Sequence, residues 1–126
     1  MSRLIIVILI FIIIIATSIT SVVFVLRSEK ELQLALDNII QAALEEDMTK
    51  AKRTTEAFVA KWEKTEVFFI VLIRHHNIDE ISKYVSRLTS FCEYNDYADL
   101  VAEVNMIKTI LRRLSEDEKP MLHNIL

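Results

Sequence analysis

Residues 4–26 read LIIVILIFIIIIATSITSVVFVL, 23 positions without a charge. As a helix rising 1.5 Å per residue they cover about 34 Å, enough for a hydrocarbon core of roughly 30 Å. The run is rich in β-branched side chains, which in water would favour a strand. Lipid offers the backbone no hydrogen-bond partner outside its own helix, so the same run becomes helical there. The reading is a transmembrane anchor over residues 1–26, followed by a domain over residues 27–126. A cleaved signal peptide is the rival, with Ala16-Thr17-Ser18 a passable cleavage site. But Val22, Val23, Phe24, Val25 and Leu26 extend the apolar run beyond what a signal needs. An uncleaved, single-pass cell-membrane anchor is therefore expected. With Arg3 on one side and Arg27 and Lys30 on the other, charge orients it weakly. A three-residue head usually stays in the cytoplasm, which leaves the domain outside it.

Thr17, Ser18, Thr20 and Ser21 lie in the second half of the span. Their hydroxyls can bond back to carbonyls four residues earlier. Alternatively Ala16 with Thr20, and Thr17 with Ser21, form a small-residue face for another transmembrane helix.

The 126 residues include no Gly, one Pro and one Cys, and 52% are apolar. Without glycine there is no phosphate-cradling loop, dinucleotide fingerprint, nucleophile elbow or calcium-binding loop. Tight hairpin turns are also hard to build, which argues against a β-rich fold. Cys92 alone forms no intramolecular disulfide and no cysteine zinc site; its helical spacing suits a small buried hydrophobe. The chain has 15 basic and 18 acidic side chains, a net charge of −3, with both signs interspersed. No basic stripe exists for a nucleic acid.

Beyond the anchor, four helices are expected. In the first, Leu32, Leu36, Ile39, Ile40 and Ala43 recur at helical spacing, and Asp47 can cap the next helix. The second spans about Met48 to Arg74 with the stripe Ala51, Thr55, Phe58, Trp62, Thr65, Phe69 and Leu72. Asn77 and Glu80 resemble a capping box opening the third, which carries Ile81, Val85, Leu88 and Cys92. Asp96 and Asp99 can cap the fourth, striped by Tyr97, Leu100, Val104, Ile107, Leu111 and Leu114. Ser115 and the acidic run after it should end that helix, with Lys119 extended ahead of Pro120. Short links make neighbours antiparallel. The fold class is thus all-α: an N-terminal transmembrane helix continuing into an antiparallel up-down bundle of about four helices.

If the first turn is near Asp47, then Arg27 and Val67 lie at about one height. The apolar run Val67–Ile73 therefore returns to membrane level, and so does the tail MLHNIL. The simplest reading of Val67–Ile73 is a deeply buried pair of turns in the bundle. The alternative is a membrane-proximal or partner surface built from Phe68, Phe69, Ile70, Leu72, Leu122 and Ile125.

Reactive constellations are scarce. His75, His76, Asp79, Glu80 and His123 are the only metal-like set, and histidines in a last helical turn suit the dipole there without a metal. No catalytic residue, metal, cofactor or small-molecule substrate is expected. Trp62, on the apolar stripe, reads as core.

Several segments carry a resemblance. They are AFVAKWEKTEVFFIVLIRHHNIDEIS, RLTSF, DLVAEVNMIKTILRRL and EDEKPMLHNIL, with Trp62, Glu66, His75, Ile78-Asp79, Arg87-Leu88 and Asn124-Ile125-Leu126 the specific part. Over nearly its whole length the chain resembles a domain-of-unknown-function family, of the DUF4363 type. These are small single-span helical membrane proteins from spore-forming Firmicutes. The resemblance implies an all-helical single-span protein and transfers no catalytic residue. The expected role is an accessory or partner-binding module acting on another membrane protein. A homo-oligomeric structural protein, with the fourth-helix stripe packing between chains, is the alternative. A metal sensor or enzyme at His75, Asp79 and Glu80 comes last.

Overall fold

The computed structural model describes residues 2–72 and 76–125, with the backbone alone at 76, 118 and 120–125. They form four helices in order: α1 Ser2–Leu44, α2 Met48–Leu72, α3 His76–Glu93 and α4 Tyr97–Ile125. Each helix packs on its sequence neighbours, and α4 closes back onto α1. The result is an antiparallel up-down bundle in which, among the described residues, no close backbone approach joins α1 to α3 or α2 to α4.

α1 is one unbroken helix with two different halves. Its leading half contains a window of mean hydropathy 3.0 that is almost wholly uncovered, long and apolar enough to cross a membrane. Its trailing half buries Val22, Val25, Leu32, Leu36, Ile39, Ala42 and Ala43, the three- and four-residue spacing of a bundle stripe. The core thus begins at Val22, inside the charge-free run. Opposite it lie Phe58, Trp62 and Phe69 of α2, Ile78, Ile81, Val85, Leu88 and Cys92 of α3, and Leu100, Val104, Ile107, Leu111 and Leu114 of α4.

One turn device is used twice. After α1, the Asp47 N–H donates to the Ala42 carbonyl and the Glu46 N–H to that of Ala43. After α3, Asp96 and Asn95 do the same with Phe91 and Cys92. This is the paired bonding of a Schellman C-cap, and it needs a left-handed residue. Glu46 (φ 53°) and Asn95 (φ 54°) supply it without glycine. The aspartate that closes each cap then opens the next helix: Asp47 Oδ1 accepts from the Lys50 N–H and Asp96 Oδ1 from the Asp99 N–H, both at 3.1 Å.

Three expectations are corrected. α4 does not end at Ser115: it continues through Lys119 and Pro120 to Ile125. Proline cannot donate to the Glu116 carbonyl and crowds it, but that carbonyl lies on an exposed residue and is open to water. The acidic run therefore sits within the helix and not at its unfavourable C-terminal end. α3 begins at His76, so Asn77 is already in its first turn and is no cap. α2 ends at Leu72 among the described residues, and Arg74 lies outside them. Finally, the described part of the apolar run, residues 67–72, is not a buried pair of turns. Only Phe69 is buried, while Val67, Phe68, Ile70, Val71 and Leu72 are exposed. Here α2 packs against α1 and the start of α3, which cover only the side that carries Phe69.

Candidate functional site: the apolar end of the bundle

α1 and α2 are held in register by two contacts. Lys61 Nζ lies 3.6 Å from Glu31 Oε2, and the Phe24 and Phe68 rings meet edge-on at 5.4 Å. One step forward along α2 is one step back along α1, so Thr65 stands beside Arg27 and Leu72 beside Thr20. The last two turns of α2 therefore run alongside the charge-free part of α1. α4 points the same way. The Gln33 amide donates to the Lys108 carbonyl at 2.9 Å, and Lys108 also pairs with Asp37. From there α4 runs on to Ile125, about 25 Å further by helical rise. Its Leu122 and Ile125 side chains, named above for the apolar surface, lie outside the described set.

Two grooves flank the contact. One, of about 420 Å³, is lined by Ile13, Ile14, Thr17, Ser18, Ser21, Val22, Val71 and Leu72. The other, of about 410 Å³, is lined by Ala16, Thr17, Thr20, Ser21, Phe24, Phe68 and Leu72. They share Thr17, Ser21 and Leu72. The small face Ala16, Thr17, Thr20 and Ser21 is thus brought together with Phe68 and Leu72. Phe69 is placed differently: it is in the core, edge-on to Trp62 at 6.1 Å.

The hydroxyls in these walls are already engaged. Thr17 donates to the Ile13 carbonyl, Ser18 to Ile14, Thr20 to Ala16 and Ser21 to Thr17, at 2.8–2.9 Å. Back-bonding and the small-residue face therefore coexist. With their protons used inside the helix, the grooves offer short side chains and apolar walls. Such walls suit the close approach of another helix better than the capture of a polar solute.

One polar chain crosses the bundle above this end. The Trp62 indole N–H donates to Ser82 Oγ at 3.2 Å, and the Ser82 hydroxyl donates to Glu66 Oε1 at 2.8 Å. Trp62 is core, as its stripe implies, and its buried N–H has a partner. Ser82 went unnoticed in the sequence because its partners are 16 and 20 residues away on another helix. Val71, within the apolar run that returns to membrane level, also lines a groove. It ends the row Glu63, Val67, Val71, four apart on one exposed face.

Asp79 is exposed and Glu80 half-buried, both on α3 beside His76. His75 and the side chains of His76 and His123 lie outside the described set. Among the described residues, no three His, Cys, Asp or Glu side chains are placed to share a metal ion. Cys92 is buried, its Sγ 3.4 Å from Thr55 Oγ1. The shifted carboxyls stand at the far turns. The Lys50 ammonium and then the Gln41 amide hold Glu45 below the ordinary carboxylate range, whereas a hydrogen bond and charge from Asp96 raise Asp99.

Fold and grooves together define a class: a helix of membrane-spanning length and apolarity that runs unbroken into an antiparallel four-helix bundle. The chain belongs to the family described as domain of unknown function (DUF4363), whose model matches residues 19–125. The match takes in Thr20, Ser21 and the whole bundle. No curated protein and no solved structure matches the chain.

Proposed function

We propose that the chain is a single-pass cell-membrane protein. Its bundle, outside the cytoplasm, serves as an accessory module for another membrane protein, and its role is binding and not catalysis. The observation that carries this reading is the groove between the small face of α1 and Phe68. Ala16, Thr17, Thr20 and Ser21 leave room for a second helix, and Phe68 and Leu72 form a wall that would grip it at the membrane surface. Self-assembly through α4 is less well supported. Leu100, Val104, Ile107, Leu111 and Leu114 are spent on the chain's own core.

Photocrosslinking in intact membranes tests the proposal. A benzophenone amino acid at Thr20 should yield a hetero-adduct of defined mass, with none from Ile8 on the bare part of α1. Ala16→Leu, which fills the groove, should abolish that adduct. Only self-adducts, or equal adducts from both positions, would overturn the reading. A reporter at the carboxyl terminus, active only outside the cytoplasm, tests the orientation.

A further inference from the structure

We infer that the last two turns of α2 are seated in the same bilayer leaflet as α1, with Val67, Ile70 and Val71 facing lipid. This rests on the reading that residues 4–26 span the membrane. The register supplies the argument. Arg27 is the first charge after the apolar run of α1, and it is level with Thr65 of α2. Along the exposed row of α2, the change from charge to hydrocarbon falls between Glu63 and Val67, at that same level. Two helices distant in sequence thus switch solvent at one height.

Beyond that height the side chains are bare. Val71 is 81% exposed, Val67 63% and Phe68 55%. Packing within the chain does not explain them, since among residues 67–72 Phe69 alone enters the core. By helical rise Val71 lies about 9 Å below Arg27, within the roughly 5–10 Å to which an amphipathic helix sinks into the headgroup–acyl boundary. The described charges on the other helices stay near the surface: Gln33 sets the height of α4, so exposed Glu116 and Asp117 lie about 3–5 Å and Lys119 about 8 Å below Arg27, where a lysine reaches back to the headgroups. Ser82, bonded to Trp62 and Glu66, sets the height of α3, so Asp79 lies only about one turn below the charge level, within the headgroup layer. A lipid leaflet is therefore the occupant that continues the surface α1 already presents. The bundle sits in the bilayer surface and is not carried above it on a stalk.

Spin-label accessibility in the full chain tests this. Glu63→Cys, Val67→Cys, Val71→Cys and Ile10→Cys are labelled in turn and reconstituted into phosphatidylcholine–phosphatidylglycerol vesicles. The unsubstituted chain, whose Cys92 is buried, is the blank. Collision with oxygen relative to a water-soluble nickel chelate should rise in the order Glu63, Val67, Val71, with Val71 approaching Ile10. If Ile10 is lipid-exposed but Val71 meets the nickel chelate as freely as Glu63, the inference fails and the anchor stands. If Val71 is shielded from both reagents, protein covers it, from a second copy, and the inference again fails. If Ile10 itself meets the chelate, the anchor fails and takes the inference with it.

Discussion

The Tyr97 hydroxyl donates to the main-chain carbonyl of Glu46 at 2.8 Å, across 51 residues of sequence. Glu46 is the left-handed residue of the α1–α2 turn, and Tyr97 is the first residue of α4 after the matching α3–α4 turn. The bond ties the two chain reversals together at the end of the bundle far from the grooves. It fixes how the hairpin α1–α2 meets the hairpin α3–α4. Tyr97→Phe keeps the ring packing and removes the bond. We expect a loss of about 0.5–1 kcal/mol, since the site is exposed and water replaces part of the bond. Denaturation in detergent micelles, followed through Trp62 fluorescence, measures it.

The two left-handed residues should respond differently to glycine. A left-handed L-residue costs roughly 1–2 kcal/mol, and Asn tolerates the conformation better than Glu. Glycine gives back part of that gain through greater freedom of the unfolded chain. Glu46→Gly should therefore stabilise the bundle by about 0.5–1 kcal/mol, and Asn95→Gly by clearly less. The same denaturation assay ranks them; the reverse order would show that the Glu46 side chain contributes in its own right.

Ser82 links Trp62 to Glu66. Ser82→Ala leaves an indole N–H and a carboxylate oxygen without their partner. The expected loss is about 1–2 kcal/mol, limited by the half-buried position. Trp62 is the single tryptophan, so its emission maximum reports directly. Red-shifted emission in the folded variant would mark water reaching the indole.

Much of this architecture is legible in the sequence because its signals are local and periodic. Ile81, Val85, Leu88 and Cys92 announce one buried face, and Asp47 and Asp96 announce helix starts through their own side-chain chemistry. Apolarity over 23 positions needs no tertiary knowledge. What was not legible depends on neighbours. Whether Val67–Leu72 fills the core or faces outward is decided by how many helices surround it, and a uniformly apolar run has no polar face to tell. Pro120 announces a stop, yet the helix runs through it, because one lost hydrogen bond does not outweigh those on either side. The grooves needed the register between α1 and α2, which no single stretch encodes.

Glu45 and Asp99 should give stability opposite pH dependence. Lys50 lowers the Glu45 value, so its contribution is present above the ordinary carboxylate range and is lost as pH falls through the lowered value. Asp96 raises the Asp99 value, so the folded chain holds that proton more tightly. Its contribution is present below the ordinary range and is lost as pH rises past the raised value. Glu45→Gln should therefore destabilise at neutral pH with little effect in acid. Asp99→Asn should stabilise at neutral pH, with the gain shrinking in acid. Denaturation midpoints taken between pH 3 and 7 separate the two, and parallel curves would refute the assignment.

Adjacent aromatic residues of α2 should behave as opposites. Phe69 is fully buried, edge-on to Trp62 at 6.1 Å and to Phe24 at 6.4 Å. Phe69→Ala leaves a cavity where three helices could not readily collapse, and should cost about 3–4 kcal/mol. Phe68 meets only Phe24 among aromatic rings, and more than half of it is exposed. Phe68→Ala should cost the bundle about 1 kcal/mol or less. A protein in which the two cost the same would have rotated the end of α2 about its axis. The groove wall assigned to Phe68 and Leu72 would then belong to other residues.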